Sequence, residues 1–301
     1  MDIGMVGLGR MGEKLSRRLL LGGHRVVGVD PGAGVEGRLV GSGIAVAPSL
    51  VALAAMLMPP RVVWLMIPAG APVDEALAEL TPEFAEGDVV VDGGNSHYRD
   101  SMRRADALRK VGVGFVDCGT SGGVWGLTEG FGLMVGGESA DVAVIEPILK
   151  TLAPAPDKGW GHVGPVGAGH FVKMAHNGIE YGLMQSYAEG FSVLAHKTEF
   201  NLDLHQVAQV WRYGSVVRSW LLDLAADALG DNAALAGVAP YVDDSGEGRW
   251  AVNEAIDLDV PTPVIAMALI ERLRSRDVDS FAAKLVAALR NEFGGHGIRR
   301  E

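Results

Sequence analysis

Between residues 3 and 30 the chain spells a strand, a glycine turn, a helix and a second strand, and that order restricts the fold more than any other feature. Ile3 to Val6 is a short apolar run leading into Gly7-Leu8-Gly9-Arg10-Met11-Gly12, after which Leu15, Leu19 and Leu20 recur at helical spacing. A second strand, residues 24–29, ends in Asp30, about twenty residues beyond the glycines. Glycines let a backbone approach a pyrophosphate, the helix N-terminus stabilises its charge, and a strand-end carboxylate accepts hydrogen bonds from ribose hydroxyls. The expected fold class is therefore α/β: a Rossmann-type, doubly wound parallel sheet whose dinucleotide contacts are Gly7, Leu8, Gly9, Arg10, Met11, Gly12 and Asp30.

The following residues extend the same pattern. Pro48 and Ser49 open a helix at 50–58 with no charged residue, which is odd for the outer layer of an open sheet and suggests packing on another subunit. A strand at 62–67, a helix at 73–80 and a buried strand at 88–91 lead to the polar loop Asp92-Gly93-Gly94-Asn95-Ser96, at a strand C-terminus where ligands sit in such sheets. A helix at 100–110 and a strand at 114–118 then run into Gly119-Thr120-Ser121-Gly122-Gly123, a loop whose amides and hydroxyls suit a carboxylate; simple turn chemistry would also account for both loops. After about residue 165 the composition changes, and helices are expected at 202–213, 215–229, 263–274 and 280–293 with no convincing strand. Trp211, Leu221, Leu222, Leu269 and Leu285 read as their core, and 246–250 as a loop. The division expected is a dinucleotide-binding domain, 1–165, and an all-helical domain for substrate and oligomerisation, 166–301.

Residues 167–185, GAGHFVKMAHNGIEYGLMQ, are apolar enough for a buried helix through Phe171, Val172, Met174, Ala175, Ile179, Leu183 and Met184. At 3.6 residues per turn, Lys173, His176, Asn177 and Glu180 fall on one stripe with Tyr181 near its edge, and Lys173 and Glu180 stand roughly 10 Å apart along the axis. A base and an acid so placed suit acid/base chemistry on one small molecule, although a buried Lys/Glu pair satisfying itself would use the same spacing. Gly178 costs about 1 kcal/mol relative to alanine, so something is expected to approach the backbone closely there.

Composition narrows the partners. Net charge is −11, from 37 acidic against 26 basic residues, which argues against nucleic acid or an anionic membrane surface; an anionic substrate must be held by local arginines and lysines. The single cysteine, Cys118, excludes an internal disulfide and permits a reducing compartment. The start, MDIGMVGLG, lacks the basic and apolar regions of a signal peptide, so a cytoplasmic location is expected. The hydrophobic stretch 44–73 is interrupted by Pro48, Pro59, Pro60, Arg61 and Pro68 and does not read as a membrane span. With no clustered Cys/His set, no metal is expected.

Taken together, GLGRMG at Gly7, DGGNS at Asp92, TSGG at Thr120, GAGHFVKMAHNGIEYG at Gly167 and GEGRW at Gly246 resemble the 6-phosphogluconate dehydrogenases, decarboxylating enzymes of the pentose phosphate pathway, over nearly the whole chain. The His-Asn-Gly-Ile-Glu-Tyr continuation separates the sequence from the related β-hydroxyacid dehydrogenases, and the resemblance is to a short form with one helical domain. It implies Lys173 as the catalytic lysine and Glu180 as the catalytic acid. It implies that Asn95, Ser121, Gly122, Gly123, His176, Asn177, Tyr181 and Arg272 contact substrate, with Asn95 also beside the cofactor. Arg290 and His296 match an arginine and a histidine supplied by a neighbouring subunit. The long forms place a phosphate-binding lysine just before the Gly-x-Gly-[Lys/Arg]-Trp loop; here Ser245 stands there, leaving Tyr181, Arg272, Arg290, His296 and Arg249 for the phosphate.

The reaction so implied converts 6-phosphogluconate, a phosphosugar acid met in gluconate utilisation, to ribulose 5-phosphate and carbon dioxide. Oxidising a secondary alcohol β to a carboxylate needs a base, and a lysine serves only where burial makes it partly neutral. Lys173 is expected to take the hydroxyl proton and then polarise the new ketone so that carbon dioxide leaves without a metal; Glu180 is expected to protonate the enediol carbon. The cofactor expected is NAD, with NADP possible: many long forms carry Asn-Arg-Thr after the second strand, where this chain has Asp30-Pro31-Gly32, and a carboxylate there repels a 2′-phosphate. The competing readings are a non-decarboxylating β-hydroxyacid dehydrogenase of a small unphosphorylated acid, favoured if Ser245 marks a lost phosphate site, and a dinucleotide-binding protein without turnover, which has no need of Lys173 and Glu180 together. A final helix capped by Asp279 and stopped at Gly294 and Gly295 releases His296 into a tail that ends in Arg299 and Arg300; with the resemblance this predicts a homo-oligomer, dimer or tetramer, whose active site is shared between subunits.

Overall fold

The computed structural model of the protein describes residues 1–32 and 34–299, so Arg300 lies outside it. The chain divides into two compact units, Met1–His176 and Asn177–Glu301. In the first, strands β1 (Asp2–Val6), β2 (Arg25–Val29), β3 (Ala45–Val46), β4 (Val62–Leu65), β5 (Val89–Asp92), β6 (Gly114–Ser121), β7 (Gly132–Gly137) and β8 (Trp160–Gly164) form one sheet in the order β3-β2-β1-β4-β5-β6-β7-β8. Its neighbours are parallel except β6 and β7. The chain leaves β1 toward β2 and β3, then returns to the other side of β1 with β4, so the topological switch lies between β1 and β4, where open sheets bind ligands.

Helices cover both faces: α1 (Arg10–Leu21), α2 (Val35–Leu39), α3 (Leu50–Ala55), α4 (Ala71–Leu80), α5 (Tyr98–Arg109), α6 (Gly126–Glu129) and α7 (Ser139–Leu152). Because β4 and β5 are buried on both sides they are continuous apolar runs rather than alternating ones. On one face Leu15 and Leu19 of α1 and Ile145, Ile148 and Leu149 of α7 pack on Ile3, Met5, Trp64 and Val91. On the other, Leu53, Leu77, Ala105 and Leu108 pack on Val27, Val63, Leu65 and Val90. Each fully buried aliphatic side chain contributes about 1.5–3 kcal/mol relative to an exposed one.

Several expectations need correction. The charge-free helix at 50–58 stops at Ala55 and turns Leu53, Ala54 and Leu57 onto its own sheet, leaving Val51 and Met58 outside, so its apolar character does not require another subunit. Gly119, Thr120 and Ser121 are not loop: β6 runs through them because β7 pairs with them antiparallel, Thr120 opposite Leu133 and Ser121 opposite Gly132. The segment between Gly123 and residue 165, without assignment from sequence, holds α6, β7, α7 and β8.

Helix α8 (Ala168–His196) begins in the first unit and continues into the second, which adds α9 (Leu204–Trp211), α10 (Trp220–Asp231), α11 (Glu247–Asp257), α12 (Pro263–Arg274) and α13 (Phe281–Gly294), with no strand among the described residues. Ser219 caps α10 through the Leu222 amide, which starts that helix five residues later than the pattern suggests. Residues 247–250 open α11 rather than forming a loop, since Gly246 takes φ 103 and the helix starts at once behind it. Ser280, not Asp279, caps α13; Asp279 pairs with Lys284 instead. Ala208, Leu222, Ala226 and Leu229, with Tyr187, Phe191 and Trp211, form a small core, whereas Leu285 is exposed.

Candidate functional site

The site is built from one register row. Val29, Val6, Leu65, Asp92 and Asp117 stand opposite one another across five strands, so the glycine turn, Asp30, the 92–96 loop and the end of β6 all emerge from one edge of the sheet. The turn after β1 is fixed by packing: Gly7 has φ 91 and a Cβ there would press on the Met66 carbonyl, while one on Gly12 would meet the Gly7 carbonyl. Gly9 differs, since a Cβ there meets nothing within 4 Å and the space over the first turn of α1 is open. That space and the unpaired amides of a helix start fit a pyrophosphate. Asp30 accepts from the Leu8 amide at 2.6 Å through Oδ2 and from the Gly32 amide at 2.7 Å through Oδ1, which fixes the carboxylate and leaves lone pairs for ribose hydroxyls.

Two strands along, the loop bearing Asn95 is anchored from below. Asp92 accepts from Ser96 Oγ at 2.7 Å and from the Gly94 amide at 3.2 Å. Arg104 of α5, 2% exposed, donates to Asp92, to Ser96 Oγ, to Asp74 at 2.8 Å and to the Gly70 carbonyl at 3.0 Å. One guanidinium thus ties the loops after β4 and β5 together. The Arg104 hydrogen bond holds the Asp74 carboxyl below its usual range.

The strand β6 sets the start of α8. Asp117 is fully buried and caps the helix, accepting from the Gly167 amide at 2.6 Å and the His170 amide at 2.8 Å. Burial pushes its carboxyl pKa up, opposed by His170 and these amides. Two turns on, Gly119 gives α8 room: a Cβ there would overlap Lys173 Cβ and stand 2.8 Å from the Gly169 carbonyl. Lys173 is 7% exposed, the burial that the sequence argument required. Ser121 lies 3.4 Å from His176 Nε2, and Gly122 and Gly123 follow with φ 123 and 51, conformations that favour glycine. Cys118 is buried and its thiol pKa is pushed up by burial, which leaves it no role as a nucleophile.

In the second unit Asn177 is 8% and Tyr181 6% exposed, while Val172, Ile179 and Leu183 of the same helix are exposed. The expectation of apolar residues buried and polar ones serving a stripe is therefore half inverted: in the single chain the polar stripe is the covered side. A Cβ on Gly178 would stand 3.1 Å from Ala251 Cβ and 3.3 Å from Ile265, so what approaches this backbone is α11 and α12. The Arg272 guanidinium lies 3.5 Å over the Tyr181 ring, and Gly248 lets the other packing partner approach, where a Cβ would stand 3.1 Å from Tyr181 Cζ. Tyr181 Oη is buried with no hydrogen-bond partner among the described residues. Ser245 Oγ donates to Glu247, and Arg249 is paired with Asp244, which draws that arginine away from an added anion. Arg290 and His296 are exposed, and among the described residues no hydrogen bond or ion pair joins them to Tyr181 or Arg272. The tail does turn back at Gly295, with Asn291 Nδ2 donating to the His296 carbonyl at 2.8 Å.

Sequence reasoning missed Asp117, Gly119 and Arg104. A carboxylate inside the apolar run GFVDCG was the available signal for Asp117; nothing in the local pattern marks Arg104 as buried.

Comparison with known proteins adds the following. Residues 2–164 match the family described as the NAD binding domain of 6-phosphogluconate dehydrogenase, and residues 169–292 match the 6-phosphogluconate dehydrogenase C-terminal domain. A protein of Haloferax volcanii named 6-phosphogluconate dehydrogenase, NAD(+)-dependent, decarboxylating, is 43% identical over 302 residues, covering 100% of this chain and 99% of that one. The solved 6-phosphogluconate dehydrogenase of Plasmodium falciparum superposes with TM-score 0.85 at 27% identity, over 100% of this chain and 66% of that longer one. The 3-hydroxyisobutyrate dehydrogenase of Salmonella typhimurium, at TM-score 0.78 and 21% identity over 93% of this chain and 95% of its own, shares the fold.

Proposed function

The chain belongs to the 6-phosphogluconate dehydrogenase family, and on that premise we propose that it converts 6-phosphogluconate to ribulose 5-phosphate and carbon dioxide with reduction of a nicotinamide cofactor, NAD in preference to NADP. The observation that carries this reading is Tyr181, whose buried hydroxyl has no hydrogen-bond partner among the described residues while a guanidinium caps its ring. An orphaned buried hydroxyl costs about 1–3 kcal/mol, and an incoming phosphate oxygen would remove that penalty while pairing with Arg272.

NAD, when bound, accepts the hydride. Residues 1–165 are assigned to the coenzyme, with Gly7, Leu8, Gly9, Arg10, Met11, Gly12, Asp30 and Asn95 around it, and 166–301 to substrate and subunit contacts. Lys173 takes the hydroxyl proton and, as an ammonium, stabilises the oxygen of the β-keto acid while the carboxylate leaves as carbon dioxide. Glu180 delivers a proton to the enediol carbon. Asn95, Ser121, Gly122, Gly123, His176 and Asn177 orient the acid end, and Tyr181 and Arg272 the phosphate. Arg290 and His296 complete the phosphate site of a neighbouring subunit in a dimer or tetramer; supporting this, α13 buries none of its side chains and exposes Phe281, Leu285, Leu289 and Phe293. A phosphorylated sugar acid as substrate goes with a cytoplasmic location.

A second reading, a non-decarboxylating dehydrogenase of an unphosphorylated acid, draws on Ser245 and Glu247, which put a carboxylate where the long forms are cationic. Coenzyme reduction at 340 nm with 6-phosphogluconate, gluconate and 3-hydroxyisobutyrate separates them. The proposal predicts a kcat/KM at least about a thousandfold higher for the phosphorylated acid. Equal or greater turnover of an unphosphorylated acid selects the second reading.

A further inference from the structure

A salt bridge beside the ribose end of the glycine turn is not used by the mechanism. Glu13, in the first turn of α1, pairs with Arg38 through Oε2 and with Arg17 at 2.9 Å through Oε1. Arg38, from α2, also donates to the Leu8 carbonyl at 2.7 Å. Leu8 is the residue whose amide is held by Asp30 at 2.6 Å. The two ends of one residue are therefore held by opposite charges, and standard backbone dimensions place the Arg38 guanidinium within about 9 Å of the Asp30 carboxylate. An arginine with a flexible stem at that distance is the group that a ribose 2′-phosphate would recruit, because guanidinium and phosphate pair in bidentate fashion. Glu13 holds its Nη1 and the Leu8 carbonyl its Nη2 instead.

We propose that the Glu13–Arg38 pair is a coenzyme-specificity device: by retaining Arg38 on the glycine turn it denies a 2′-phosphate its cation and leaves selection to Asp30. The inference rests on the NAD preference proposed above. Asp30 repels the phosphate directly, and Glu13 acts indirectly by holding the only arginine that α2 could turn toward it. Arg17, the other arginine that Glu13 holds, lies on α1 itself and serves as the internal comparison.

Equilibrium binding to the apo protein by isothermal titration calorimetry tests this without turnover, using NAD+, NADP+ and the fragment 2′-AMP. Wild type, Glu13→Gln, and the double variants Glu13→Gln/Arg38→Gln and Glu13→Gln/Arg17→Gln are compared. Glu13→Gln should raise affinity for NADP+ and for 2′-AMP by at least about fivefold, with NAD+ changed less than about twofold, and the gain should vanish with Arg38→Gln but survive Arg17→Gln. Unchanged NADP+ affinity in Glu13→Gln overturns the proposal. So does a gain that persists without Arg38, which would make Glu13 a simple source of negative potential, or a parallel loss of NAD+ binding, which would make the pair a brace of the turn. If wild type itself binds NADP+ more tightly than NAD+, the NAD preference falls, whatever the variants show.

Discussion

Gly119→Ala inserts one methyl group between β6 and α8. The backbone accepts alanine at this position, because φ is not in the left-handed region, so the effect is packing alone. The added carbon would overlap Lys173 Cβ, stand 3.1 Å from Lys173 Cγ and 2.8 Å from the Gly169 carbonyl, where carbon–carbon contacts rest at about 3.5–4.0 Å. Relief requires the first turns of α8 to recede by about 1 Å, and the Asp117 cap ties them to the same strand. Overpacking of this kind costs about 1–3 kcal/mol of stability, or a fall in Tm of about 2–10 °C in a chain of this size. A misplacement of about 1 Å at a catalytic base lowers the rate by about a hundredfold, equivalent to about 2.7 kcal/mol of barrier. Single-turnover hydride transfer by stopped flow, with NAD affinity measured separately, should show that loss with coenzyme binding nearly intact. Gly161→Ala is the control, since a Cβ there meets nothing within 4 Å, and it should be silent. A folded Gly119→Ala enzyme within threefold of the wild-type rate (roughly 0.7 kcal/mol) would show that Lys173 does not work from this position.

Lys173→Ala should abolish hydride transfer, whereas Glu180→Ala should spare it and slow release of the final product; equal loss of isolated hydride transfer in both refutes the division of roles. Arg104→Lys keeps the charge but not the fork that joins the two loops, so KM for substrate should rise by about tenfold and amide exchange at residues 92–96 should quicken; unaltered exchange would mean the loop holds itself. The raised pKa of Asp117 means that the folded protein binds its proton more tightly than the unfolded chain does. Its contribution to stability is thus greatest at low pH and declines as pH rises above the unfolded value of about 3.8, levelling off above the folded pKa. The Tm of wild type relative to Asp117→Asn should follow that decline across the acid range, and a difference that grows with pH would reverse the assignment.

The readable parts of this protein are those with short-range rules. The strand, glycine turn, helix and Asp30 are specified within thirty residues because each obeys a local constraint on φ, on burial or on charge at a helix end. The long stripe of α8 was legible from spacing, but its burial was not: Ile179 and Leu183 are exposed and Asn177 is covered, because which side of a helix is buried depends on neighbours far away in sequence. The strands β7 and β8 were missed since LMVGG and WGHVG are short and glycine-rich, and β8 is only partly buried, so neither alternation nor a long apolar run marks them. Gly178 does mark a close approach, with protein rather than ligand as the approaching group. Asp117 and Arg104 act through contacts 50 and 12 residues away, which no local pattern encodes.

The central claim is that oxidation and loss of the carboxylate occur in one active site. Purified protein given 6-phosphogluconate labelled at the carboxylate carbon, with NAD, should release labelled carbon dioxide in equimolar amount to the NADH formed, in the absence of added metal. NADH formation with the label retained in an acid product would contradict it.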